Sequence, residues 1–316
     1  MREYGGYMEF EHFHGQEYHA GAYRFNTARH ALRYILRERG ITEIYLPDYL
    51  CPVIAEACVQ EEVHVKYYHV GLDFYSMDIK IPKGAWFYFI NYYGQFTNEE
   101  IHSLHTQNPN MIVDNVQAFF QKPVEGIDTI YTCRKFFGVP DGAYLYTKIP
   151  LDRYAALPQD DSMHRLAYLA GRIEHGASAW YADFKRISEK FQDEPVRRMS
   201  KFTENILKGI DYKRVMGQRT KNFQVLHEHF VRYNRLSLKC VVGGYMYPLY
   251  VHDGDVLRKK LVEEKIYVPL LWPVTGQDKK DEAYHMSHNI LPLPIDQRYV
   301  AGDMEYIAGR VKRCIA

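Results

Sequence analysis

From about residue 25 to residue 150, short apolar runs alternate with longer stretches in which apolar residues recur every three or four positions. The runs at 43–46, 64–69, 85–93, 111–114, 129–132 and 143–147 are strand-sized. Between them, 28–39, 53–61 and 98–106 have helical spacing. In the first of these, Ala31, Leu32, Ile35 and Leu36 fall on one face, with Thr27 placed as N-cap and Gly40 as a stop. Such alternation predicts an α/β fold with a mainly parallel central sheet and crossover helices.

Residues 152–207 change character: they are charged, with Leu166, Leu169, Ile173, Trp180, Phe184 and Ile187 at helical spacing, which predicts long helices leading out of the sheet. The pattern breaks at 192–195. Beyond Asp211 the spacing predicts a helix at 220–233, strands at 245–251 and 266–271, a helix at 256–264 and a closing helix at 303–314. Two β–α units and a closing helix make a small C-terminal α+β domain. The expected division is a large domain over 1–205 and a small one over 206–316, within the size range for two cores. No internal repeat or low-complexity tract interrupts this reading.

Composition narrows the class. With 40 basic and 39 acidic residues spread along the chain, nothing calls for nucleic acid or an acidic membrane surface. No apolar stretch reaches the length of a membrane span, and the opening MREYGGYMEFEHFHG lacks the apolar run of a signal peptide. Five cysteines, an odd number with no C-x-x-C pair, argue against a disulfide framework or structural zinc and for a reducing cytoplasm. The 28 tyrosines suit pocket walls and subunit interfaces as well as strands.

Three features carry candidate chemistry. Asn26-Thr27-Ala28-Arg29 opens a helix after an extended segment, and the free amides and dipole of a helix start suit a phosphate. Met111-Ile112-Val113 ends in Asp114, a carboxylate at the carboxyl end of a strand, where α/β proteins bind ligands. Residues 129–132 lead into Cys133-Arg134-Lys135-Phe136-Phe137, which sets a lysine among aromatics where burial lowers its pKa and frees a neutral amine for an aldehyde. Phosphate cradle, anion and lysine together suit pyridoxal 5'-phosphate (PLP). The alternatives are blander. His12 and His14 read as surface residues, His227 and His229 diverge on a helix, and Cys133 lacks a His–Asp arrangement, so no metal or thiol site is expected.

The order Asn26–Leu32, Pro47-Asp48-Tyr49, Asn91-Tyr92-Tyr93-Gly94-Gln95, Asp114–Ala118, Thr132–Lys135, and then Tyr247-Pro248-Leu249, Ile266–Pro269, Trp272-Pro273 and Leu291–Ile295 resembles the DegT/DnrJ/EryC1/StrS family of PLP-dependent aminotransferases. The resemblance covers most of the chain. It implies the PLP-dependent transferase fold of type I, with helices on both faces of the sheet, and a homodimer with sites at the subunit interface. It further implies Lys135 as the Schiff-base lysine and proton carrier, Asp114 as partner of the pyridine nitrogen, and Gln117 against the ring oxygen beside the aldehyde. Thr132, Ala28 and Arg29 fall to the phosphate, the last two through their backbone. Tyr49 is the choice for the aromatic stacked on the ring, although Cys51 matches the family spacing better. Trp272, Arg298 and Arg219 are candidates for substrate contact, Arg219 through its planar fork. The chain departs from the family at the phosphate-loop glycine, replaced by Thr27 or Ala28, and at the Gly-x-Asn-Tyr-Arg-Met segment, whose place Pro195–Ser200 takes.

The activity implied is transfer of an amino group from an amino acid, glutamate foremost, to a keto-sugar or similar carbonyl acceptor, including a nucleotide sugar. Competing readings are a PLP-dependent sugar dehydratase or lyase, whose sugar-dehydrating relatives carry histidine at the lysine position, and a catalytically inactive binding or regulatory protein of the same fold.

Overall fold

The apolar runs line up side by side. In the computed structural model, which describes residues 4–74, 81–274 and 281–315, one sheet holds β1 (Tyr23–Phe25), β2 (Glu43–Pro47), β3 (His64–Tyr68), β4 (Trp86–Ile90), β5 (Met111–Asp114), β6 (Asp128–Thr132) and β7 (Ala143–Tyr146). Their order is β1-β7-β6-β5-β4-β2-β3, and every pairing is parallel except the two that β7 makes. Helices cover both faces, the architecture that the strand–helix alternation predicts.

Local chemistry sets the helices that frame the site. The side chain of Thr27 accepts from the His30 amide at 3.2 Å and starts α1 (Ala28–Glu38), whose apolar face packs on β6 and β7. Pro52 opens α2 (Pro52–Gln60), where its missing N–H costs nothing. A reciprocal Thr97–Glu100 capping box starts α3 (Asn98–Gln107).

The middle of the chain departs from the long helices predicted there. It forms shorter pieces: α4 (Leu151–Ala155), α5 (Ala167–His175), α6 (Tyr181–Lys190) and α7 (Lys201–Lys208). Only a small patch of Tyr168, Ile187 and Phe191 is buried between α5 and α6, too little apolar surface to hold one long helix. Gly176, at φ 83°, ends α5.

A 19-residue helix, α8 (Tyr212–Phe230), joins the two halves; the Asp211 side chain caps it at the Arg214 amide, earlier than the apolar spacing predicts. Its first turns, with Val215, pack in the large core under the sheet. Phe223, Leu226 and Phe230 pack in a second core with β8 (Met246–Tyr250), α9 (Gly254–Glu263), β9 (Ile290–Pro294) and α11 (Ala301–Ile315). α10 (Glu282–Asn289) lies between α9 and β9 in the chain.

Here the strand predicted at 266–271 is not one. β8 pairs instead with β9, antiparallel, and Pro248 faces Pro292 while Pro294 faces Met246. The three prolines thus share the same alternate set of pairs, the set whose amides point away from the partner strand, so no ladder bond is lost. Residues 266–271 cross between the cores. Ile266 and Val268 enter the small core, and Leu271 and Trp272 enter the large one. No helix among the described residues is long and apolar enough to cross a membrane.

Candidate active site

Three parallel strands deliver the central residues. Ile90, Asp114 and Ile130 are in register across β4, β5 and β6, so Tyr88, Asp114 and Thr132 share one face of the sheet near its carboxyl edge. Asp114 is buried, and its carboxylate accepts from the Val116 amide at 2.9 Å and the Tyr88 hydroxyl at 2.7 Å. Burial pushes its pKa up, against the pull of Lys135 and these two hydrogen bonds.

Lys135 follows β6 in a tight turn. The amides of Phe136 and Phe137 both donate to the Cys133 carbonyl, at 3.0 and 2.9 Å, and the Cys133 amide returns to the Gly142 carbonyl at 2.9 Å. Gly142, at φ 119°, leaves no room for a side chain: a Cβ there would lie 3.0 Å from Thr203 and 3.1 Å from Cys133. Its amide donates to the Asn26 carbonyl at 2.6 Å, which ties the lysine turn to the start of α1. The Lys135 ammonium lies 5.3 Å from the Tyr245 ring centre and 6.0 Å from that of Trp272. Burial lowers its pKa, while Asp114 and the Cys51 thiol pull it back up. The result is a lysine in an aromatic wall facing a single buried carboxylate.

Gln117 is fully buried. Its Oε1 accepts from the Tyr93 amide at 2.7 Å, which fixes the amide orientation and leaves Nε2 buried without a partner among the described residues. Tyr93 itself sits in the left-handed region at φ 52°, unusual for a bulky residue and a mark of backbone held by its surroundings. A buried donor with nothing to donate to is costly in a folded protein, and it points to a bound group. Thr132 ends β6, and Ala28 and Arg29 open α1, where the Thr27 cap takes only the His30 amide.

Several sequence expectations change. Tyr49 is wholly buried between the rings of Tyr92 and Trp272, at 5.6 and 5.3 Å, and its hydroxyl donates to the Leu271 carbonyl. It is a wall that pins the 266–271 crossing, while the half-buried Cys51 thiol is the group that feels Lys135, Arg29 and Asp114. Arg219 offers nothing to a substrate carboxylate. Its Nε donates to Gln297 at 2.8 Å, Nη1 to the Gly244 and Tyr245 carbonyls at 3.0 and 3.2 Å, and Nη2 to the Phe136 carbonyl at 3.3 Å. Arg298 forks onto Asp296 at 2.6 and 2.8 Å. Pro195–Ser200 lies along the chain's own sheet edge, where Arg198 bridges Phe25 and the Arg197 carbonyl accepts from the Asn26 amide at 3.1 Å.

Sequence reasoning missed Tyr88, Tyr93 and Tyr245. The first was accessible from the in-register parallel strands; nothing local marks Tyr245.

No family model matches the chain, and no curated protein sequence matches it either. Solved structures do. A DegT DnrJ EryC1 StrS aminotransferase from Brucella abortus superposes with a TM-score of 0.62 at 15% identity, over 94% of this chain and 87% of that one. DesV from S. venezuelae, solved with a ketimine intermediate, gives 0.68 at 14% identity over 93% and 84%. PseC from Helicobacter pylori, an aminotransferase involved in the biosynthesis of pseudoaminic acid, gives 0.64 at 14% over 92% and 86%. The chain shares the fold of these aminotransferases. At these identities the likeness is one of architecture, and the chemistry rests on the residues gathered at the carboxyl edge of the sheet.

Proposed function

We propose that the protein is a PLP-dependent aminotransferase that moves an amino group from an amino acid, glutamate foremost, to a keto-sugar or similar carbonyl acceptor. The observation that carries this reading is the juxtaposition of Lys135, with its lowered pKa, and the buried Asp114, beside the unfilled Nε2 of Gln117. These groups fit PLP: an amine for the aldehyde, an anion for the pyridine nitrogen and a donor for the ring oxygen. When bound, PLP supplies an electron sink that stabilises charge at the α carbon of the amino acid.

The chain's residues do the rest. Burial enlarges the neutral fraction of Lys135, which serves first as nucleophile and then as the base that moves a proton. Asp114, held by Val116 and Tyr88, keeps a proton on the ring nitrogen. Tyr245 and Trp272 shield the lysine from water. Thr132 and the first amides of α1 would hold the phosphate. A large domain over 1–205, a small one over 206–316 and a homodimer accompany this reading; two apolar cores support two domains, with the large core also taking in Leu207, Val215, Tyr245, Leu271 and Met286 from the second segment.

The test is borohydride reduction of the purified protein followed by peptide mass spectrometry, with a phosphopyridoxyl group expected on Lys135. Glutamate should convert the bound cofactor to pyridoxamine phosphate. A protein that neither takes up PLP nor changes its spectrum with any amino acid would refute the proposal, and a bound cofactor whose products are dehydrated or cleaved would replace transamination with the lyase reading.

A further inference from the structure

Two cations at the start of α1 stand apart from their neighbours. Arg33 and Arg37 on the same helix pair with Glu61, and Arg39 at its end pairs with Asp128. Arg29, the second residue of α1, and Arg134, immediately before Lys135, have no carboxylate at ion-pair distance among the described residues. Nη1 of Arg29 and Nε of Arg134 are shut off from solvent and have no hydrogen-bond partner among the described residues. Arg134 is nevertheless held in place: its Nη2 donates to Ser188 Oγ at 2.8 Å, and its guanidinium lies 5.0 Å from the Phe191 ring centre.

Both lie by the lysine turn: Arg134 precedes Lys135 in the chain, and the hydrogen bond from the Gly142 amide to the Asn26 carbonyl ties that turn to the start of α1, where Arg29 sits. The Cys51 thiol feels both Lys135 and Arg29, and Arg29 in turn feels Arg134. Burial lowers the Arg29 pKa; Glu56 and Cys51 oppose this, and Arg134 and Arg33 add to it. Neighbouring cations with unfilled donors and no paired carboxylate are costly unless an anion completes them. The planar fork of arginine matches phosphate oxygens, and the helix start favours the same charge.

We propose that Arg29 and Arg134 form a two-arginine clamp for a phosphate dianion, the phosphate of the cofactor in the aminotransferase reading on which this inference rests. Guanidinium donors then take over part of the work of the glycine-lined loop that this chain lacks, where Ala28 and Thr27 restrict close backbone approach.

The test compares PLP with pyridoxal, which lacks the phosphate, on the apo form of the full chain in wild type, Arg29→Gln, Arg134→Gln and the double variant. The Kd for PLP should rise about tenfold to a hundredfold per substitution, and that for pyridoxal should stay level. Arg29→Lys and Arg134→Lys should recover part of the loss. Borohydride trapping of PLP on Lys135 at raised concentration shows that each variant keeps its site. Inorganic phosphate should raise the Tm of the wild type and compete with PLP, and should do neither in the double variant. An unchanged PLP-to-pyridoxal preference in the double variant would overturn the clamp as the cofactor's phosphate site. If the wild type binds neither aldehyde, the aminotransferase reading fails. In that case the phosphate-dependent Tm rise decides alone: its loss in the double variant supports a clamp for a substrate phosphate, and its absence from the wild type overturns the clamp altogether.

Discussion

Two buried polar clusters flank the start of α1, and they are finished to different degrees. Behind it, Asp160 accepts from Asn26 at 2.9 Å and from Arg165 at 2.8 Å, Arg165 reaches Glu194 at 2.6 Å, and Asn26 Oδ1 meets His30 at 2.6 Å. In front, around Lys135, the Gln117 Nε2, Arg29 Nη1 and Arg134 Nε atoms are buried with their capacity unspent. The same contrast separates Arg219, whose donors are consumed by carbonyls and Gln297, from Arg29 at the start of α1. A cluster whose buried charges pair with one another is built for stability; one that holds cations without a carboxylate among the described residues is built around something absent from the chain. Open atoms remain behind α1 too: His30 Nε2, Ser162 Oγ, Arg197 Nε and the Asp141 carboxylate oxygens are buried without a hydrogen-bond partner among the described residues. Asp141 lies 3.6 Å from Arg165, and burial pushes its pKa up to about 6.

The contrast breaks most sharply with one substitution on each side. Lys135→Ala should lower transamination by about 10^3-fold or more, because nucleophile and base disappear together. Chemical denaturation of the same variant should move by less than that of Arg165→Met, since Asp114 loses the Lys135 charge but keeps its hydrogen bonds from Tyr88 and Val116. Arg165→Met should do the reverse. It takes the hydrogen-bonded cation from the buried Asp160 and leaves only Arg197, 3.8 Å away, at a cost of about 3 kcal/mol in urea unfolding. If Arg165→Met unfolds like the wild type, the cluster behind α1 is not the structural one.

Acid sharpens the comparison with a smaller effect. Burial lowers His19 and His30 from 6.5 to about 3. Both stay neutral when folded and gain a proton when unfolded, so their stability contribution is intact above pH 6.5 and is lost as the pH falls from 6.5 toward 3. Asp141 works the other way, because its folded pKa is raised; it regains stability as the pH falls through about 6 toward 3.8. The two histidines should therefore steepen the fall of Tm on acidification. In His30→Gln the decline should be shallower, and an identical acid limb would remove His30 from the account.

The smallest expected effect is at Tyr49. Tyr49→Phe removes its hydrogen bond to the Leu271 carbonyl and should cost about 1–3 kcal/mol in stability. PLP uptake should be spared. Tyr49→Leu removes the ring itself, and loss of the cofactor there with PLP uptake intact in Tyr49→Phe would return Tyr49 to the ring-stacking role.

Much of the large sheet is legible in the residues themselves. Asp114 and Lys135 are marked by strand ends, because a buried parallel sheet needs continuous apolar runs and the residues just beyond them inherit the ligand-binding edge. The small core is harder to read. Residues 266–271 alternate like a strand, yet they carry no ladder, and the proline-rich 290–294 run pairs because its prolines fall where no amide is needed. The choice between Tyr49 and Cys51 turns on a hydroxyl whose acceptor, the Leu271 carbonyl, lies 222 positions away.

By itself, then, the sequence determined the strand–helix alternation, the acid at the end of one strand and the lysine after the next, because periodicity and turn chemistry are local properties. Only the tertiary structure decided which side chains are spent and which are left open. Arg29 and Arg219 are both arginines on helices, and a hydrogen-bond count depends on what other segments bring within 3 Å. Tyr245 and Trp272 reach Lys135 from the far side of α8, and their place in the site exists only once the two cores are joined.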